Sequence, residues 1–170
     1  MTTSVVAYLA LGSNLGDPVE QLARARAAIS AMPDVAIVRV SSLYRSSAWG
    51  SGEPQPDYVN AVIAVRTTLS PHALWLATTR IEALHGRVRS GGRNAARTLD
   101  IDLLLCGDSV NHTADLTLPH PRMHERDFVL VPLLEIAPEL VIPNHGNARD
   151  CLVAIGPTDI RKLGHNSAWI

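Results

Sequence analysis

"RTLDIDLLLC", residues 97–106, sets two aspartates among six apolar side chains. A run this rich in Leu and Ile predicts a buried β-strand over 98–106, yet Asp100 and Asp102 fall inside it. Alternate residues of a strand point to one face, so the two carboxylates project side by side, about 6.6 Å apart along the chain. Like charges held that close repel, and burying them unpaired is costly. Two readings follow. Either the strand lies at a sheet edge with one solvated face, or the pair serves a cation. Hard divalent ions favour carboxylate oxygens, and Mg²⁺ commonly takes one or two carboxylates plus substrate phosphates. Two aspartates on one face suit one or two such ions.

The strand closes an alternation that runs back to the start of the chain. Residues 5–11 predict a short apolar strand ended by Gly12-Ser13-Asn14. Asp17-Pro18 supplies an N-cap and a first-turn proline, which predicts a helix over 18–32, and Pro33-Asp34 stops it. The β-branched stretch 35–44 predicts a second strand, and 58–69 a third. Ser70-Pro71 repeats the cap-and-proline pattern and opens a helix to about residue 85, ended by Gly86. After the aspartate strand, Gly107-Asp108 predicts a turn into a hairpin partner at 109–111. An apolar helix over 128–136, a strand near 140–142 and a short helix around 148–155 follow. The order β-α-β-β-α-β is that of an α+β, ferredoxin-like βαββαβ sandwich with additional C-terminal strand and helix elements, in a single domain over 1–170. Loops 46–56 and 87–97, eleven residues each, are long for a compact domain and are candidates for functional segments.

Bulk composition narrows the function classes. With 46% hydrophobic and 18% charged residues and a formal net charge of −1, the chain lacks the basic excess of a general nucleic-acid binder. Two cysteines, Cys106 and Cys151, in apolar contexts read as free buried thiols rather than a disulfide framework or metal cluster. The N-terminal stretch lacks a signal-peptide pattern, and no apolar run approaches membrane-spanning length, so the chain reads as cytosolic. Lys162 is the only lysine; every other basic chain is arginine, which is also the better planar fork for phosphates.

Position gives some of those arginines a meaning. Arg87, Arg89, Arg93 and Arg97 crowd one loop that runs straight into the acidic pair, with no acidic residue between them. A solvated basic loop is one reading. Cations beside a metal site are also what a polyphosphate requires, because charge develops on its oxygens during transfer. "ALGSNLGD", residues 10–17, matches neither phosphate-loop fingerprint and reads as a turn followed by a helix cap. Tyr58 and Asn60 share one face of the third strand; they are either half-buried and satisfied, or ligand contacts. Phe128, the only phenylalanine, reads from position alone as core. His120, Arg122, His124 and Arg126 form a polar cluster better suited to an anion than to a metal.

These pieces occur together in a known arrangement. "YLALGSNLGD" (8–17), "SSLYRS" (41–46), "QPDYVNAV" (55–62), "RIEALHGRVR" (80–89), "RTLDIDLLLCG" (97–107) and "LTLPHPRMHERDFVLVPLLEIAPEL" (116–140) resemble the 6-hydroxymethyl-7,8-dihydropterin pyrophosphokinase family over residues 5–143. The resemblance implies a ferredoxin-like fold and transfer of pyrophosphate from ATP to the pterin hydroxymethyl group, releasing AMP. It implies two Mg²⁺ ions on Asp100 and Asp102, and phosphates clamped by Arg87 and Arg97. Asn14, Ser46, Trp49, Tyr58, Asn60 and Phe128 would form the pterin pocket, with Tyr58 and Phe128 stacking on the ring. Glu82, Arg89, Arg97, Leu103, Thr117, His120 and Arg126 would line the ATP site. The implied partners are these small molecules, with no nucleic acid or membrane, acting on a monomer. The sequence departs from the family's usual pattern at Asn94, in "RNAAR", where many members carry an aromatic, and at "RSSAWG", which lacks the usual prolines. A non-enzymatic ferredoxin-like module, binding RNA or a regulatory nucleotide, is the rival class; low aromatic content and near-neutral charge weigh against the RNA version.

Overall fold

A computed structural model describes residues 3–47, 55–85 and 99–169. The chain runs β1 (Val5–Ser13), α1 (Pro18–Ser30), β2 (Val35–Val40), β3 (Tyr44–Ser46), β4 (Tyr58–Thr67), α2 (Pro71–Leu84) and β5 (Asp100–Cys106). There follow β6 (Asn111–His112), β7 (Thr117–Leu118), a short 3₁₀ turn (Met123–Glu125), α3 (Asp127–Ile136), β8 (Val141–Ile142), β9 (Gly146–Asn147), α4 (Ala148–Ile155) and β10 (Arg161–Lys162). This is a mixed α/β fold with four helices and an antiparallel main sheet ordered β10-β3-β4-β1-β5, to which β2 adds beside β4. No helix among the described residues is long and apolar enough to cross a membrane.

Local chemistry explains the helix starts. The Asp17 carboxylate accepts from the Glu20 N–H at 3.2 Å, and the Ser70 hydroxyl accepts from the Ala73 N–H at 3.1 Å, each with proline in the first turn. Ser70→Ala should therefore lower stability by about 1 kcal/mol, read as a shifted urea midpoint with an unchanged slope.

Three expectations need correction. The continuous strand over 35–44 is interrupted, because the Ser41 hydroxyl accepts from the Val62 N–H at 2.9 Å and so takes the place of a backbone acceptor in the ladder. Pairing with β4 continues on the far side as β3. The hairpin partner expected at 109–111 does not pair with β5. Asn111–His112 pairs instead with Thr117–Leu118, across a turn closed by Thr113, whose N–H and hydroxyl both donate to the Leu116 carbonyl. Cys106 is buried as expected, but Cys151 is only half-buried; both are free thiols.

The sheet is covered on both faces, which is why β4 and β5 read as near-continuous apolar runs. Odd-numbered residues of β4 (Val59, Ala61, Ile63, Val65) join Ile101 and Leu103 in a core under α1 and α2 with Leu22, Ile29 and Leu74. Val62, Ala64 and Leu104 face the other way, against Met123, Val129, Leu130 and Leu133. The second cover is partial: α3 and α4 pack over one end of that face. At the other end, the same strand parity carries Asn60 and Tyr58 on β4, Gly12 on β1, and Asp100 and Asp102 on β5.

Helix α3 is tied to the sheet edge by Glu135. Its carboxylate accepts from the Ser42 N–H (3.0 Å), the Ser42 hydroxyl (2.8 Å) and the Tyr44 hydroxyl (2.6 Å). Burial works against ionisation of Glu135, but these hydrogen bonds outweigh it and hold the carboxyl below its ordinary value of 4.5. Burial, then the neighbouring carboxylate, raises the Tyr44 phenol well above its ordinary range. A depressed folded-state value stabilises fully above the unfolded one and is lost as pH falls through the folded one. Wild-type stability should thus fall as pH drops below about 4.5, and Glu135→Gln should flatten that fall. Urea midpoints at pH 6 and pH 3 check it.

Candidate active site

The uncovered end of the sheet forms the floor of a cavity of about 340 Å³. Gly12 sits at its centre, directly paired with Asn60 on one side and Asp100 on the other. A Cβ on Gly12 would lie 3.4 Å from Asn60 Oδ1 and 3.7 Å from the Tyr58 ring, so glycine leaves the floor open between them. Asn60 is buried and donates from Nδ2 to the Ser46 hydroxyl at 2.7 Å. The opposite wall comes from residues 120–122 and from Arg126, Phe128 and Val129 at the start of α3. Tyr58 and Phe128 are both half-buried and line the cavity, unlike core aromatics.

Charge within the cavity is mixed and compensated. The Arg126 guanidinium lies 3.7 Å from Asp102 Oδ2 and 5.6 Å from the centre of the Phe128 ring, linking the acidic pair to the aromatic wall. His120 Nδ1 accepts from the Arg122 N–H at 3.2 Å, which places the proton of the neutral ring on Nε2. Burial, then the Arg126 charge, pushes the His120 pKa down to about 4, despite Asp100 nearby. His120 is therefore neutral at pH 7, and the 3.9 Å approach of Nε2 to Asp102 is a donor facing a carboxylate rather than an ion pair. Asp102 keeps 29% side-chain exposure, so its charge stays solvated on the cavity side.

A second cavity of about 250 Å³ adjoins the first and shares Asp102, His120 and Pro121 with it. Leu103 and Thr117 line it, with Trp75 from α2 and Asp115. One carboxylate thus stands where two compartments meet.

The residues singled out from the sequence divide into three groups. Asp100, Asp102, Ser46, Tyr58, Asn60, Phe128, His120 and Arg126 line the first cavity, and Leu103 and Thr117 the second. Asn14 and Glu82 line neither. The Asn14 amide is buried and donates to Gln55 Oε1 (3.0 Å) and the Pro56 carbonyl (3.1 Å), while Glu82 Oε2 accepts from the Ile101 N–H at 3.2 Å, between the two aspartates. Trp49, Arg87, Arg89, Arg97 and Asn94 lie outside the described residues. His124 leaves the polar cluster to stack on His145, with ring centres 3.8 Å apart. Gly12, Ser47 and Trp75 also line the cavities, and sequence reasoning misses all three as site residues. The strand pairing that puts Gly12 between Asn60 and Asp100 has no local signature, and Trp75 on its helix reads as an ordinary core aromatic.

Comparison with known proteins fits this arrangement. The profile of the 7,8-dihydro-6-hydroxymethylpterin-pyrophosphokinase family matches residues 8–138. The 2-amino-4-hydroxy-6-hydroxymethyldihydropteridine pyrophosphokinase of Haemophilus influenzae is 51% identical over 140 residues, covering 82% of this chain and 86% of its own. The enzyme of the same name from Methylorubrum extorquens is 41% identical over 157 residues, covering 92% and 98%. A crystal structure of an HPPK-DHPS protein in complex with substrates superposes with a TM-score of 0.69 at 15% identity, over 89% of this chain. The chain spans 43% of that longer protein, and the likeness speaks to fold. With a family profile over most of the chain and relatives this similar across nearly their whole length, the chain belongs to the 7,8-dihydro-6-hydroxymethylpterin-pyrophosphokinase family of enzymes.

Proposed function

We propose that this enzyme transfers pyrophosphate from ATP to the hydroxymethyl group of 6-hydroxymethyl-7,8-dihydropterin, releasing AMP, in folate synthesis. The observation that carries the proposal is the position of Asp102 at the junction of an aromatic-walled cavity and a second one. That is the layout needed to bring an acceptor hydroxyl and a polyphosphate to one point. The sheet order, with β1 between β4 and β5, supports reading the core as ferredoxin-like. The same reading has residues 1–170 acting as one domain, as a monomer in the cytosol, on soluble small molecules.

Each side chain has a task in this scheme. Tyr58 and Phe128 stack on the two faces of the pterin. Asn60 commits one amide hydrogen to Ser46, which leaves its second N–H and its carbonyl as a donor–acceptor pair for the heterocycle's polar edge. Asn14, holding Gln55 and Pro56, and Trp49 complete that side. His120, kept neutral, donates from Nε2, while its basic Nδ1 is taken up by the Arg122 N–H. Arg126 balances charge beside Asp102. Arg87 and Arg97 clamp the phosphates, with Arg89, Glu82, Leu103 and Thr117 around the nucleotide.

Asp100 and Asp102 would hold Mg²⁺, two ions in this scheme. Among the described residues no group of three or more His, Cys, Asp or Glu forms a self-sufficient metal cage. Two half-buried carboxylates on one open face suit a hard ion that completes its shell with phosphate and water. Such an ion, when bound, neutralises phosphate charge and lowers the pKa of a coordinated hydroxyl. Phosphorus-31 NMR of the products checks the reaction. AMP and a pterin diphosphate in equal amounts are expected; ADP with a pterin monophosphate would overturn the assignment.

A further inference from the structure

Residues 159–169 lie beyond the matched family region, which ends at 138, yet they bond to Ser47, which lines the acceptor cavity. β10 pairs antiparallel with β3, setting Arg161 opposite Arg45 and Lys162 opposite Tyr44, and the Leu163 N–H donates to the Leu43 carbonyl at 2.9 Å. Extending that register by two residues brings Asp159 opposite Ser47, and there the Ser47 hydroxyl donates to Asp159 Oδ2 at 2.6 Å. The far end is anchored by Trp169, which is 2% exposed. Its indole N–H donates to the Ser41 carbonyl at 2.8 Å, and Arg26 of α1 covers its ring and donates to its carbonyl. Without this segment β3, only three residues long, would be the outer strand of the sheet. β3 carries Ser46, the hydrogen-bond partner of Asn60, and Ser46 and Ser47 both line the cavity.

We infer that residues 159–169 form a strap that positions the Ser46–Asn60 wall of the acceptor pocket, with Asp159 as its positioning residue on Ser47. The inference rests on the pterin reading of that cavity. Asp159 also makes its charge felt at Asp127, the first residue of α3 and the neighbour of Phe128; burial, with Asp159 adding to it, raises the Asp127 carboxyl. The strap thus bears on both walls of the pocket through Ser47 and Asp127, while none of its own residues lines either cavity.

The test is steady-state AMP release by the full chain with each substrate varied. Asp159→Ala should raise KM for the pterin about fivefold, the scale of one exposed charge-assisted hydrogen bond, with kcat and KM for ATP within about twofold. Asp159→Asn keeps an accepting carbonyl and should restore the wild-type pterin KM. Ser47→Ala should match Asp159→Ala, and the double variant should be no worse than either single one. An unchanged pterin KM in Asp159→Ala overturns the strap, as does an equal loss toward both substrates. Asp159 and Ser47 are surface residues, so these variants fold. Wild-type protein that makes no pterin-dependent AMP removes the underlying reading as well, whereas a normal wild type beside an unshifted Asp159→Ala removes the strap alone.

Discussion

Asp102→Ala is expected to lower kcat by about 10³-fold or more while leaving the folded state at least as stable as wild type. A cation site that organises a polyphosphate supplies several kcal/mol of transition-state stabilisation, and about 4 kcal/mol corresponds to three decades of rate. The stability side follows from position. Asp100 and Asp102 sit side by side on β5, so deleting one relieves repulsion between like charges. Against that relief stand the 3.7 Å approach to the Arg126 guanidinium, a partly solvated pair worth little, and the His120 Nε2–H at 3.9 Å. Loss of activity with a melting temperature that holds or rises is the signature of a functional pair. Activity within tenfold of wild type would contradict the assignment. So would a large drop in melting temperature, which would mark the pair as structural. Asp100→Ala should behave the same way, because both carboxylates line the same cavity.

Asn60→Ala is the second large effect. Asn60 is 5% exposed, and its Nδ2 donates to Ser46 at 2.7 Å. Its remaining N–H and its carbonyl are the groups assigned to the pterin edge. Removing two hydrogen bonds in a desolvated pocket costs about 1–1.5 kcal/mol each, so kcat/KM for the pterin should fall about 30–150-fold with KM for ATP unchanged. Leaving the Ser46 hydroxyl without its donor adds a stability loss of about 1–2 kcal/mol. Asn60→Asp keeps the accepting oxygen but brings a buried charge in place of the N–H donors, and should bind the pterin no better than Asn60→Ala. Titration of the pterin against intrinsic fluorescence separates binding from turnover. Equal losses toward ATP and pterin would show a general distortion of β4 instead.

Much of the fold is legible in the residues because the signals are local. Asp17-Pro18 and Ser70-Pro71 mark helix starts by capping chemistry, and α1 and α2 begin there. Strand periodicity puts Tyr58 with Asn60 and Asp100 with Asp102, since a period of two needs no tertiary information. What stays hidden depends on pairings between distant segments. Gly12 gains its place on the cavity floor only because β1 lies between β4 and β5. The break at Ser41 reflects a hydroxyl bonded to a strand 21 residues away. β10 is two residues long, with no periodicity to read, and exists because β3 offers it an edge. Glu82 illustrates the converse. The family resemblance marks it for the nucleotide, while its position turns a carboxylate oxygen onto the backbone of β5 between the two aspartates.

The central claim is a pterin-dependent pyrophosphoryl transfer organised by Asp100 and Asp102, and AMP release tests it most directly. ATP would be incubated with wild-type and Asp102→Ala protein, with and without the pterin, across a Mg²⁺ titration. AMP should form only when wild-type protein, pterin and Mg²⁺ are all present. AMP formed equally without the pterin, or by Asp102→Ala at the wild-type rate, would contradict the account.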